Sequence, residues 1–149
     1  MGTKYQGTEV EIRALDTYIK LTRAAESMMD RTNRHLSDYH LTVSQFGALE
    51  ALYHLGTLAQ IELSRKLLLS TANITTVLQN LEKIGLVCRE RDAKDQRIVR
   101  VSITEAGKEL IEKILPSHVA TITNDLSILT PEEQETLAAL CRKLGRQIG

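Results

Sequence analysis

The chain has little aromatic content: no tryptophan, one phenylalanine and four tyrosines in 149 residues. A core built from it must be largely aliphatic. Cysteine is as scarce, with only Cys88 and Cys141, and their spacing forms neither a C-x-x-C pair nor a metal-ligand set. That excludes a disulfide framework and a zinc module, and it suits a reducing cytoplasm. No apolar run approaches eighteen residues and no signal-peptide pattern is expected, which speaks against membrane insertion or export. The N-terminal MGTKYQG is polar and expected to fray. The four histidines, His35, His40, His54 and His118, fall on different expected segments without an H-x-x-x-H or H-E-x-x-H pattern, and there is no nucleophile elbow. Catalysis is therefore not expected, nor is a metal or other cofactor.

Net charge is also missing, at 19 basic against 19 acidic side chains. The distribution is uneven, however. Residues 1–63 carry 6 basic and 8 acidic groups, residues 64–104 carry 8 and 4, and residues 105–149 carry 5 and 7. A basic middle between acidic flanks is the footprint of a unit that meets a polyanion. The length suits a single domain with a real core.

Within that basic middle, Ser70 to Gly85 reads as an amphipathic helix. Ser70 is a good N-cap and Gly85 a good left-handed terminator. Ile74, Val77, Leu78 and Leu81 fall at i, i+3, i+4 and i+7 and form one apolar stripe. The opposite face carries Ala72, Thr76, Gln79 and Lys83, flanked by Asn73, Thr75 and Asn80. Solvated faces are usually rich in Glu and Lys, whereas this one is small and polar. Its amides and hydroxyls suit base edges, and the Ala72 methyl suits a thymine. The β-branched run Ile74–Val77 weakens helix propensity, so packing must hold the helix.

Two strands are expected next, Val87–Arg91 and Arg97–Thr104, with Val99, Val101 and Ile103 on one face. The polar connection DAKDQ reads as an exposed hairpin tip. Arg89, Arg91, Lys94, Arg97 and Arg100 gather within twelve residues. A guanidinium at such a tip can enter a narrow minor groove, and Asp95 stands two residues from Arg97, close enough to fix its pose.

The segment Asp95–Gly107, DQRIVRVSITEAG, resembles the D-x-R-x-x-x-V-x-L-T-x-x-G signature of the multiple-antibiotic-resistance regulator (MarR) family, with Ile103 in place of the usual Leu. The upstream NITTVLQNLEKIGLVCRERDAKD is similar to that family's recognition helix and first wing strand. The resemblance implies a fold that is mainly α with a small β-hairpin wing, a winged helix-turn-helix with N- and C-terminal dimerisation helices. It implies one MarR-type domain over 1–149, with the DNA-binding unit at about 42–104 and dimerisation helices at about 8–40 and 105–147. The expected function is a ligand-responsive homodimeric repressor on a pseudo-palindromic duplex operator. Its DNA-binding residues are expected to be Ser70, Thr71, Ala72, Asn73, Thr75, Thr76, Gln79, Arg89, Arg91, Lys94, Asp95 and Arg97. A small phenolic or aromatic effector is a further implied partner. Alternatives are a winged-helix module for protein contact and a redox regulator using Cys88. Cys88 falls mid-strand and Cys141 on an apolar stripe, so both read as core side chains. The peroxide-sensing branch of the resembled family carries its cysteine in the first helix, where this chain has none, which disfavours a cysteine switch.

Capping patterns divide the rest. Thr42-x-x-Gln45 opens a helix that Gly56 closes, Thr57-x-x-Gln60 opens a short one, and Leu67–Leu69 form the turn before Ser70. Thr104 caps a helix reaching about Leu129, which Pro116 is expected to kink. Thr130-Pro131-Glu132-Glu133 opens the last helix, with Leu137, Leu140, Cys141 and Leu144 as its stripe. The first helix, about Thr8 to His40, places Ile12, Leu15, Ile19, Thr22, Met29 and Leu36 at roughly heptad spacing. Met28, Met29, Thr32, His35, Tyr39, Tyr53 and His54 could line an effector cleft or be packed core.

Overall fold

In the computed structural model, residues 2–146 are described. Helices α1 (Glu9–Asn33), α2 (Val43–Leu55), α3 (Gln60–Lys66), α4 (Thr71–Lys83), α5 (Glu105–Leu126) and α6 (Pro131–Gly145) accompany strands β1 (Leu58–Ala59), β2 (Val87–Arg91) and β3 (Val99–Ile103). The chain divides into two compact units, residues 33–116 and residues 1–32 with 117–149.

The first of these units is a winged helix-turn-helix. Its core is aliphatic, as the composition requires: Leu36, Leu49, Leu52, Leu63, Ile74, Leu78, Leu81, Val101, Ile111 and Ile114 are almost wholly buried, with Phe46 the aromatic member. Tyr39 and Tyr53 pack against this core, so for these two the core reading holds. Helix α4 packs on α2, α3 and β2. Thr42 and Gln45 exchange the two bonds of a capping box, Gln45 N–H to Thr42 Oγ1 at 3.1 Å and Thr42 N–H to Gln45 Oε1 at 2.9 Å. The turn between α3 and α4 is closed by Leu67 N–H to Leu63 O and Leu69 N–H to Ser64 O. Between them Leu68 takes a left-handed φ of 54° and stays exposed.

The sheet has three strands in the order β1-β3-β2, all antiparallel. Val87 faces Ile103, Arg89 faces Val101 and Arg91 faces Val99. Strand β1, unforeseen in the sequence, pairs Leu58 with Val101 and Ala59 with Arg100. It also corrects the expected cap at Thr57. The Thr57 hydroxyl bonds Ser102 Oγ at 2.8 Å, and α3 starts only at Gln60. Strand β3 begins at Val99 rather than Arg97, because the wing turn extends through Ile98.

The other unit holds α1, the C-terminal half of α5, and α6. The expected helix from 8 to 40 is α-helical only to Asn33 and continues as a 3₁₀ turn over Arg34–Tyr39. It stops at His40, whose φ is 57°. Asn33, His35, Ser37, Asp38 and Tyr39 are weak helix formers, and no Gly or Pro marks the break. Helix α5 runs through Pro116 and ends three residues before the expected Leu129. Arg31 Nε donates to Asp125 Oδ2 at 3.0 Å, tying α1 to α5. Gln134 Nε2 donates to Leu126 O and Leu129 O, tying α6 to the end of α5. Helix α6 opens as expected on the Thr130–Glu133 capping box with Pro131 in its first turn, and it buries none of its described side chains. The expected helix end at about 147 lies outside the described residues.

Candidate nucleic-acid interface

Helix α4 presents its two faces as its sequence dictates. Ile74, Leu78 and Leu81 are buried, while Ala72, Thr76, Gln79 and Lys83 are exposed. Ser70 Oγ accepts the Asn73 N–H at 3.1 Å, so the cap is made and the hydroxyl keeps its proton to donate. Gly85, at φ 78°, supplies the left-handed residue that turns the chain into β2. Thr71, Ala72, Asn73, Thr76 and Gln79 together form a continuous exposed polar surface. Thr75 departs from it: half-buried, its hydroxyl accepts from Gln60 Nε2 at 3.0 Å and donates to Thr71 O at 2.9 Å. That hydroxyl joins α3 to α4, and the Thr76 hydroxyl makes the same kind of back-bond, donating to Ala72 O at 3.2 Å.

The wing tip is a small carboxylate scaffold. Asp92 Oδ2 accepts the backbone N–H groups of Lys94 and Asp95 at 3.0 and 2.9 Å, and Asp92 Oδ1 accepts Arg100 Nε at 2.7 Å. Asp95 Oδ1 accepts both the N–H and the Nε–H of Arg97, at 3.1 and 3.0 Å, and Asp95 Oδ2 accepts Arg97 Nη2 at 3.0 Å. The Arg97 guanidinium is thus gripped on one edge while its side chain remains 91% exposed. This is the pose the sequence suggested. Arg91 donates to Gln96 O at 2.6 Å, bracing the same turn. Lys94 is exposed at the tip. Arg89 is different: half-buried, it bonds Glu82 at 3.1 Å and so fastens β2 to α4. Asp92 was not singled out in the sequence, although an Asp opening a charged turn is the signal for such a backbone-capping role.

Hydrogen bonds from Arg100 and from the Asp95 and Lys94 amides hold Asp92 below the usual carboxylate range, and bonds from Arg97 do the same for Asp95. A carboxyl group whose folded-state pKa is depressed contributes stability above its unfolded pKa and loses it as pH falls through the folded value. The wing turn is therefore expected to stay ordered at neutral pH and to loosen only in acid, below the ordinary Asp range. Following the Arg97 Nε–H resonance by NMR through an acid titration checks this. A transition near neutral pH would contradict it.

Cys88 and Cys141 are both exposed, which corrects their reading as core. Cys88 alternates outward on β2, opposite the buried side of Val87. Cys141 lies on α6, none of whose described side chains is buried. Among the described residues, no three His, Cys, Asp or Glu side chains gather as a metal site, and no helix is long and apolar enough to cross a membrane.

Comparison with known proteins bears on this arrangement. Residues 41–99 match the MarR family. An uncharacterised HTH-type transcriptional regulator of Bacillus subtilis, YkoM, is 34% identical over 97% of this chain and 94% of its own length. The chain belongs to the MarR family. The MarR protein Sco3205 of Streptomyces coelicolor, solved in complex with DNA, superposes with a TM-score of 0.85 at 24% identity over 97% of this chain and 91% of its own, a likeness of fold. NadR, solved in complex with 4-hydroxyphenylacetate, superposes with a TM-score of 0.75 at 26% identity over 97% of each chain. This MarR protein is accordingly a winged-helix transcription regulator rather than an enzyme.

Proposed function

We propose that this MarR protein is a cytoplasmic homodimeric repressor that reads a pseudo-palindromic operator and releases it on binding a small aromatic effector. The observation that carries the DNA reading is the pairing of an exposed small-polar face on α4 with an arginine fixed at the wing tip. The helix face addresses base edges in the major groove, and Arg97 addresses the minor groove beside it. Ser70, Thr71, Ala72, Asn73, Thr76, Gln79, Arg91, Lys94, Asp95 and Arg97 are assigned to this surface. Thr75 and Arg89 support it from behind. A protein-docking face would display aromatic or aliphatic side chains where α4 displays amides and hydroxyls.

Dimerisation is supported by the apolar surface of the helical unit. Val10, Tyr18, Met29, Val119, Ile128, Leu137, Leu140 and Leu144 are all exposed in the single chain. Exposed apolar surface on this scale marks an interface. A two-fold dimer would set two recognition helices one DNA turn apart. Effector binding is supported by NadR and its 4-hydroxyphenylacetate. A ligand releases DNA only through a difference in affinity for the two states, so operator should weaken effector binding by the same factor.

Arg97→Ala is expected to weaken operator binding by at least about 1 kcal/mol and to flatten its salt dependence, because a cation near the phosphates is lost. Dimerisation and thermal unfolding should hardly change. Asp95→Ala should act in the same direction more weakly, by releasing the guanidinium. Binding titrations between about 50 and about 200 mM salt decide it. Unchanged affinity and slope for Arg97→Ala would remove the wing from the interface.

A further inference from the structure

Helix α3 ends on the two bonds of a Schellman closure, Leu68 N–H to Arg65 O at 3.2 Å and Leu69 N–H to Ser64 O at 2.9 Å. That closure needs a left-handed residue at its centre, and Leu68 supplies it at φ 54°. Helix α4 closes by the same pair, Gly85 N–H to Glu82 O and Leu86 N–H to Leu81 O, both at 3.0 Å, and there the left-handed residue is glycine. Leucine suits the conformation poorly. Its Cβ crowds the neighbouring carbonyl, and it has no short polar group to offset the strain. Core packing does not account for the choice: Leu67 and Leu69 pack against the core, while Leu68 is 70% exposed.

An exposed leucine is ordinary, but one held in a strained backbone calls for a contact outside the chain. Its surroundings say which. Arg65 and Lys66 are exposed just before it, and Ser70, Thr71 and Ala72 just after. Two cations and the start of the recognition helix suit a polyanion. A second copy of the chain suits less well, since the apolar surface proposed for dimerisation lies in residues 1–32 and 117–149. A phosphate would be better met by another cation, whereas the apolar feature of a base edge in the major groove is the thymine 5-methyl. We propose that Leu68 is a further specificity-determining residue, packing on a thymine 5-methyl in each half-site of the operator. The free protein thus holds strain for a side chain that finds its partner only on DNA. This contact rests on the operator reading above.

Three variants of the full-length protein test it on the duplex that the wild type selects from a random pool. Leu68→Gly removes both strain and side chain, Leu68→Asn tolerates the conformation without an apolar contact, and Leu68→Met keeps strain and contact together. The melting midpoint of Leu68→Gly should rise by about 2–4 °C. Its affinity for the duplex should nevertheless fall about five- to tenfold, as should that of Leu68→Asn, while Leu68→Met stays within about twofold of wild type. The salt dependence should not change, because no phosphate contact is lost. Thymines replaced one at a time by deoxyuridine should reveal one symmetric position that weakens wild type and Leu68→Met but not the other two. Full affinity in Leu68→Gly and Leu68→Asn, a lower melting midpoint for Leu68→Gly, or deoxyuridine sensitivity unchanged in both would overturn the contact. A flattened salt dependence would overturn it in favour of the phosphates, and weaker self-association of Leu68→Gly in sedimentation would overturn it in favour of a second copy. Failure of the wild type to select any duplex would sink the operator reading itself, whereas selection by the wild type with an unaffected Leu68→Gly would sink this contact alone.

Discussion

Leu78→Ala is expected to lower the unfolding free energy by about 3 kcal/mol, the middle of the range for a buried leucine truncated in a packed core. Leu78 is fully buried, in the centre of α4, where Ile74 and Leu81 flank it one turn away on each side. The run Ile-Thr-Thr-Val just before it gives the helix little intrinsic stability, so the apolar stripe is what holds the recognition surface in place. Against a total of roughly 5–15 kcal/mol, such a loss leaves the winged unit marginal. Urea unfolding measures it, with Gln79→Ala on the exposed face of the same helix as the control, expected to stay within about 0.5 kcal/mol of wild type. A cost below about 1 kcal/mol for Leu78→Ala, outside the range for such truncations, would mean that α4 is not held by its buried stripe.

Gly107→Ala is expected to destabilise by about 2 kcal/mol or more, although alanine is intrinsically the better helix former by about 1 kcal/mol. A Cβ at this position would sit 2.4 Å from the Leu86 carbonyl oxygen and 2.6 Å from Ile103 Cγ1. The Ile103 side chain can shift, but the Leu86 carbonyl cannot easily do so. It already accepts the Thr104 N–H at 3.0 Å, and the Leu86 N–H is bonded to Leu81 O at 3.0 Å. The first turn of α5 is thus seated directly on the connection between α4 and β2. This close approach gives the last glycine of the family signature a physical reason. Denaturant unfolding of Gly107→Ala checks it, and a neutral or stabilising result would show that the backbone has room to yield.

Much of this architecture could be read from residue chemistry because the decisive signals are local. The caps at Thr42, Ser70, Thr104 and Thr130 each receive the N–H bond expected of them. The two faces of α4 follow from a 3.6-residue period, and the Asp95–Arg97 grip from a separation of two residues in a turn. What was not legible depends on partners far along the chain. Strand β1 is only Leu58–Ala59, too short for a period, and exists because β3 offers it an edge. Thr75 and Arg89 look like surface polar residues until Gln60 and Glu82 are placed beside them. The break at His40 involves a non-glycine residue in a left-handed conformation, which no composition rule marks. For the two cysteines, an apolar neighbourhood in sequence does not translate into burial. Val87 faces the core while Cys88, the next residue on the strand, faces out.

The central claim is that the exposed face of α4 reads base sequence. Selection of duplexes from a randomised pool, run in parallel with wild-type protein and Gln79→Ala, tests it most directly. The wild type should enrich an inverted repeat with half-sites about one helical turn apart. Gln79→Ala should relax preference at one position in each half-site, related by the same symmetry, at a cost of roughly 1–3 kcal/mol on the wild-type sequence. Failure of the wild type to enrich any sequence, or the same consensus at full affinity from both proteins, would contradict the account.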